Sequence, residues 1–314
     1  MRYFYSFIVS VTPLILYLLI LETTDKNKRQ SFRLIILNFF WGILGAIILV
    51  VIHGFTLFKG FYQYKINTYE INSMTVIIFI PLIEEITKGL MLLITLRNKN
   101  FCSLTNGIIY GGAVGLGFGM IENILYLISF ESMGQAWFSF IVTRTIFLSV
   151  MHLITTSVFG AFLVSSKLKG YPLKIYLLLT GILCSSVIHF TWNIVTENYG
   201  ITVIHGFLFL TFAVVILILL FTTILHNERK LIYREMTEEV KSNLIPAGHL
   251  EILGRRIQGK SGWINEGIRK EYLKSIRILT LRKIQMSKRP KDKTSPLLKE
   301  IELQHERIKK FLSN

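Results

Sequence analysis

Pro81-Leu82-Ile83-Glu84-Glu85-Ile86-Thr87-Lys88 is the stretch on which the reading of the fold depends. On a soluble helix, Glu-Glu-x-x-Lys is an ordinary salt-bridged face, because residues three and four apart are neighbours. The flanks remove that reading. Met74 to Ile80 before it and Gly89 to Leu96 after it carry no charge. The segment 73–96 is therefore long and apolar enough to cross a hydrocarbon core of about 30 Å as a helix. Ionisable groups at that depth cost roughly 2.5–3.5 kcal/mol each even on the lenient insertion scale, so they mark function and not stability.

Outward from this segment the same composition recurs. The chain is 52% hydrophobic and 17% charged, against about 25% charged in an ordinary soluble domain. Apolar runs at about 3–21, 33–55, 73–96, 106–130, 137–165, 173–195 and 201–225 predict seven spans. In hydrocarbon each backbone polar group must be paired within its own segment, so the spans are helices and the fold class is all-α. Lys26, Lys28, Arg29 and Arg33, then Arg97 and Lys99, then Lys167, Lys169 and Lys174 make the odd-numbered connections basic. By the positive-inside rule those face the cytoplasm, which sets the N-terminus outside. Residues 1–226 form the membrane domain, and 227–314 form a basic cytoplasmic tail with 21 Lys+Arg against 11 Asp+Glu. Within the tail, Ile264, Ile268, Tyr272, Ile276 and Leu279, then Leu297, Ile301, Leu303, Ile308 and Phe311, fall at helical spacing. They predict helices over Trp263–Met286 and Pro296–Leu312, either a small soluble appendage or a basic surface lying on anionic headgroups. No nucleic-acid motif accompanies the charge. Cys102 in a polar connection and Cys184 in a span give no disulfide framework.

Four consecutive spans carry buried polar side chains. Glu84 and Lys88 lie one turn apart, with Glu85 about 100° around the helix. The fourth span holds Phe118 and Glu122 on one face, the fifth holds His152, and the sixth holds His189 and Asn193, again one turn apart. Counted from the outer ends at about 1.5 Å per residue, all fall between the outer leaflet and the midplane. Taken singly, His152 reads as an interhelical hydrogen bond, Phe118 as core or lipid contact, and Asn193 as interhelical glue. Arg144, near the outer end of its span, reads as snorkelling to the headgroups. Gly111, Gly115 and Gly119 form a small-xxx-small run that lets a neighbouring helix approach and positions Glu122.

The order Glu84-Glu85-x-x-Lys88, Phe118-x-x-x-Glu122, His152, His189-x-x-x-Asn193 resembles the four-motif pattern of the PrsW family. That family lies in the wider superfamily of CAAX and bacteriocin-processing proteases. The likeness covers about residues 73–196 and extends to Glu122-Asn123-x-x-Tyr126 and Arg144. Glu122 stands where the prenyl-protein proteases carry His, which argues against a prenylated substrate. The resemblance implies proteolysis of a membrane-associated protein in a bacterial cytoplasmic membrane, of the anti-sigma-factor kind, near the outer face.

Under that resemblance Glu84 is the expected base for water, helped by Glu122 and His152. Lys88 orients Glu84 and Glu85, with Glu85 structural or a proton partner. His189 and Asn193 are expected to donate to the oxyanion. In a competing arrangement Glu122, His152 and His189 bind zinc. The absence of a His-Glu-x-x-His motif favours the metal-free form, with no cofactor. A proton-coupled carrier would also bury such groups, but internal repeats and paired Gly/Pro-broken spans are not found. A catalytically inactive scaffold would have lost at least one of the four motifs, and all are intact.

Overall fold

The computed structural model describes residues 2–24, 32–64, 78–96, 104–129, 135–167, 172–198, 203–255, 257–287 and 295–313. Among these the regular elements are all helical. In order they are α1 (Arg2–Thr24), α2 (Phe32–Tyr64), α3 (Ile80–Thr95), α4 (Leu104–Ser129) and α5 (Gln135–Val142). A π-helical turn (Thr143–Leu148) then leads without a break into α6 (Ser149–Lys167). There follow α7 (Leu173–Asn198), α8 (Val203–Lys241), α9 (Ala247–Gly254), α10 (Glu266–Ser287) and α11 (Ser295–Ser313). The protein is an all-α membrane bundle.

Five stretches among the described residues are long and apolar enough to cross a bilayer: Tyr3–Leu21, Phe32–Ile52, Leu104–Ser129, Trp137–Lys167 and Leu173–Val195. The third expected span corresponds to α3, of which 16 residues are described; residues 73–77 of that expectation lie outside the described residues. The seventh corresponds to the apolar first half of α8, where Gly206–Ile216 is the described apolar run. Pro81 sits in the first turn of α3, where its missing N–H has no helical partner to lose.

Between apolar helices in lipid there is no hydrophobic drive, so close packing holds the bundle together. The sequence supplies it with glycine on α4. A Cβ added at Gly107, Gly111 or Gly115 would fall on the backbone carbonyls of Gly160, Thr156 and His152 respectively. This stripe lays α4 directly on the backbone of α6. Gly119, the last member of the expected run, faces the His152 ring instead, its built Cβ 3.1 Å from Cδ2. On another side of α4, Gly117 meets the Phe39 carbonyl of α2 and Gly42 meets that of Val114. The core around this sandwich includes Leu14, Ile35, Leu92, Ile109, Leu116 and Leu163. Helix α3 packs with inverted polarity: Ile83, Ile86, Leu90 and Ile94 are exposed, while Glu85 and Lys88 are buried. That is the arrangement of a helix whose outer solvent is lipid.

The end of α8 gathers with α9, α10 and α11 around a second apolar cluster that includes Ile232, Met236, Leu253, Tyr272, Ile276 and Ile308. Helix α10 starts three residues later than Trp263, because the Asn265 side chain accepts a hydrogen bond from the Gly267 N–H at 2.9 Å and caps it. Leu303, expected on the apolar face of α11, is 46% exposed. Some of the tail's positive charge is spent inside it: Arg282 pairs with Glu300 at 3.0 Å, and Lys283 pairs with Glu239. His249 is held between the Trp263 and Tyr272 rings, and burial pushes it below the usual imidazole range. The expected boundary at 226/227 falls inside the continuous helix α8. The tail also touches the membrane helices: Gln285 Nε2 donates to the Lys167 carbonyl at 3.4 Å, and Lys167 Nζ donates to the Leu96 carbonyl at the end of α3, at 2.7 Å.

Candidate active site

The α4–α6 glycine contact, with α3 and α7 against α6, brings six of the seven expected site residues into one network. At its centre is Lys88 Nζ. It donates to Glu85 Oε1 at 2.8 Å, lies 3.5 Å from Glu84 Oε2 and 3.0 Å from His152 Nδ1, and stands 4.2 Å over the Phe118 ring. An ammonium has only donors, so His152 Nδ1 accepts and its proton sits on Nε2. Nε2–H then donates to Glu122 Oε2 at 2.6 Å.

Glu85 is the buried counter-charge. Its Oε1 takes Lys88, Thr155 Oγ1 at 3.1 Å and His189 Nδ1 at 3.0 Å. A carboxylate only accepts, so His189 carries a proton on Nδ1; in its neutral form Nε2 is then an acceptor. That nitrogen faces Glu84 Oε2 at 3.7 Å. In this tautomer Nε2 accepts, and so cannot donate to an oxyanion. Two acceptors facing each other are instead answered by the hydrogens of a water or by a cation.

Glu84 and Glu122 are the members open to space, at 15% and 19% side-chain exposure. Both line one groove of about 210 Å³ whose walls are Ala46, Leu49, Val50, Ile80, Ile83, Phe118, Leu125 and Tyr126. The groove walls come from α2 and α4, in backbone contact at Gly42 and Gly117, and from α3. Val50, Ile83, Leu125 and Tyr126 are exposed on the outer surface, so the groove opens sideways out of the bundle.

A metal can be tested against these donors. Glu84, His152 and His189 offer ligand atoms that all lie within 4.8 Å of one another. Two imidazoles and a carboxylate are a donor set that zinc takes. The geometry puts Glu84 in the place the sequence reading gave to Glu122, because Glu122 Oε2 is engaged by His152 and Oε1 by Arg144. His189 fits well: its other nitrogen is held by a carboxylate, the usual partner of a ligating imidazole. Glu85 Oε2 is buried without a partner, a second sign of unused acceptor capacity. His152 would join by releasing Lys88 or Glu122.

Asn193 lies on α7 one turn from His189 and is partly buried. Sequence reasoning missed two members. Thr155 had no signal, being one hydroxyl among many. Arg144 was read as a headgroup contact. Its Nη2 instead donates to Glu122 Oε1 at 2.8 Å, with the guanidinium 3.8 Å over the Tyr126 ring.

The model of the PrsW family intramembrane metalloprotease matches residues 30–222, more than half of the chain. The chain belongs to the PrsW family. Protease PrsW of Clostridioides difficile (strain 630) is 24% identical over 169 residues, which is 52% of this chain and 67% of that protein. No solved structure matches. The PrsW match takes in α2 to the first half of α8, and hence every side chain of the network above. The tail lies outside it.

Proposed function

We propose that this PrsW-family chain is an endopeptidase that hydrolyses a peptide bond in a membrane protein, with water activated by Glu84. One observation carries the reading. Glu84 and Glu122 line an apolar groove open to the lipid side, backed by a buried Lys–Glu–His network. An apolar segment of substrate fits such a groove, and an unwound stretch of it would bring a scissile carbonyl to the carboxylates. A membrane-anchored regulator of the anti-sigma-factor type is a substrate of that description. The orientation is N-terminus out and tail in the cytoplasm, across seven spans of a bacterial cytoplasmic membrane, as the loop charges and the family suggest.

In this mechanism a water donates to Glu84 Oε2 and His189 Nε2. Glu84 takes a proton as the water oxygen attacks the carbonyl carbon. The amide of Asn193 is left as the donor to the developing oxyanion, and the proton held by Glu84 passes to the leaving amine as the C–N bond breaks. Lys88 fixes Glu85, and Glu85 fixes the tautomer of His189. The donor grouping of Glu84, His152 and His189 favours a second form of the same reaction. A divalent cation held there would polarise the carbonyl and lower the proton affinity of bound water. In either form Glu84 and His189 hold the nucleophile.

The test is cleavage of single-span membrane proteins in liposomes by wild type and Glu84→Gln, with and without chelator. The expected result is fragments from wild type and a loss on the order of 10³-fold in the mutant. Equal cleavage by both removes Glu84 from the mechanism. Loss of wild-type cleavage on chelation, restored by zinc, selects the metal form; insensitivity selects the metal-free form.

A further inference from the structure

We propose that the π-helical turn Thr143–Leu148 is a register device that makes Arg144 the positioning residue for Glu122. The inference rests on the protease reading for its kinetic effect, but its geometry is independent of it. Arg144 and His152 are eight residues apart on one continuous helical path, yet both hold the same carboxylate. Arg144 takes Glu122 Oε1 at 2.8 Å and His152 takes Oε2 at 2.6 Å. In an unbroken α-helix, eight residues advance about 800°, so the two side chains would diverge by about 80°. One π turn absorbs an extra residue. The effective advance becomes about 700°, and the divergence falls to about 20°, on one face.

The bulge is pinned from the helix that carries its target. The Ser149 N–H donates to the Arg144 carbonyl, the i→i+5 bond of a π turn. Ser149 Oγ donates to the same carbonyl at 3.2 Å, and Asn123 Nδ2 donates to that Oγ at 2.8 Å. Asn123 is the neighbour of Glu122 on α4. The residue that staples the bulge and the residue that uses it are thus consecutive. Tyr126, one turn on, sets its ring 3.8 Å from the guanidinium and limits its freedom. Glu122 is left with both oxygens directed and its carboxylate plane fixed at the groove, where a freely rotating side chain would have several orientations.

A double-mutant cycle tests this. Arg144→Gln, Arg144→Lys, Glu122→Gln, the Arg144→Gln/Glu122→Gln pair and an insertion of one alanine after Ile146 are compared for kcat, KM and the unfolding midpoint in detergent. Ile146 is exposed on the π turn, and one alanine inserted after it takes the advance to about 800°, so that Arg144 and His152 diverge by about 80°. Arg144→Gln is expected to lower kcat on the order of 10²-fold with KM unchanged. Arg144→Lys recovers part of that loss. Arg144→Gln adds no further loss in the Glu122→Gln background, and the alanine insertion reproduces the Arg144→Gln defect. A wild-type kcat in Arg144→Gln, or losses that multiply in the pair, overturns the proposal. The midpoints read it without any substrate: positions 144 and 122 are coupled in the full chain, and the coupling vanishes in the alanine insertion. Absence of that coupling overturns the register device even where cleavage is seen. A wild type that cuts nothing while the coupling persists sinks the protease reading alone.

Discussion

Lys88 shows what a single buried charge does here. Its ammonium meets Glu85, His152 and the Phe118 ring within 4.2 Å, and it is 1% exposed. Removing one partner of such a set leaves the other charge uncompensated, at a cost of about 3–5 kcal/mol, whereas removing both can be nearly neutral. Lys88→Met should therefore lower the detergent unfolding midpoint sharply. Lys88→Met/Glu85→Gln should recover most of that stability and none of the proteolysis. If the double variant is as unstable as the single one, the pair is not the unit of stability. At this scale the sequence was most legible where a residue violated its surroundings. Glu84, Glu85, Lys88, Glu122, His152 and His189 are anomalies in apolar spans, and lipid leaves them nowhere to go but toward each other. Lys88 beside Glu84 and Glu85 was legible from helical spacing; the pairing between helices was not, because it depends on side-chain rotation. Arg144 was misread because a basic residue near a span end already has a bilayer reason to be there.

Among the elements, α4 and α6 carry the most information. Their glycine stripe was visible as spacing, and its reading as packing agrees with the observed contact. Gly107 and the α2-facing Gly42 and Gly117 were not singled out, because a glycine's neighbour is set by tertiary structure. The stripe has a graded consequence. A Cβ at Gly115 would fall on the His152 carbonyl, which is backbone and cannot yield without moving α6. At Gly119 the obstacle is the His152 ring at 3.1 Å, which shifts by a few tenths of an ångström. Gly115→Ala should thus lower cleavage far more than Gly119→Ala, by on the order of 10²-fold, because it displaces His152 from Glu122. Equal effects would separate the helix contact from the chemistry. The π turn had no sequence signature at all: Thr143-Arg-Thr-Ile-Phe-Leu148 reads as ordinary helix, and the extra residue appears only once Asn123 and Ser149 are seen together.

The whole molecule joins a bundle in lipid to a helical module with its own apolar cluster. Its orientation was read from loop charge, and two native thiols make that testable without mutation. Cys102, in the third connection, should react with a membrane-impermeant maleimide only from the cytoplasmic side; Cys184, partly buried in α7, should react from neither. Labelling of Cys102 from outside the cell would invert the topology. One feature of the fold reaches across this scale. Helix α8 is 39 residues long without a break, about 58 Å at 1.5 Å per residue. Its upper part packs through Ala213 against Ile154 and Val158, two and six residues from His152; its lower part supplies Ile232 and Met236 to the tail cluster. A rod held at both ends is a drive shaft. Torque applied to the helical module, by any protein that grips it, would arrive at the helix that holds the imidazole.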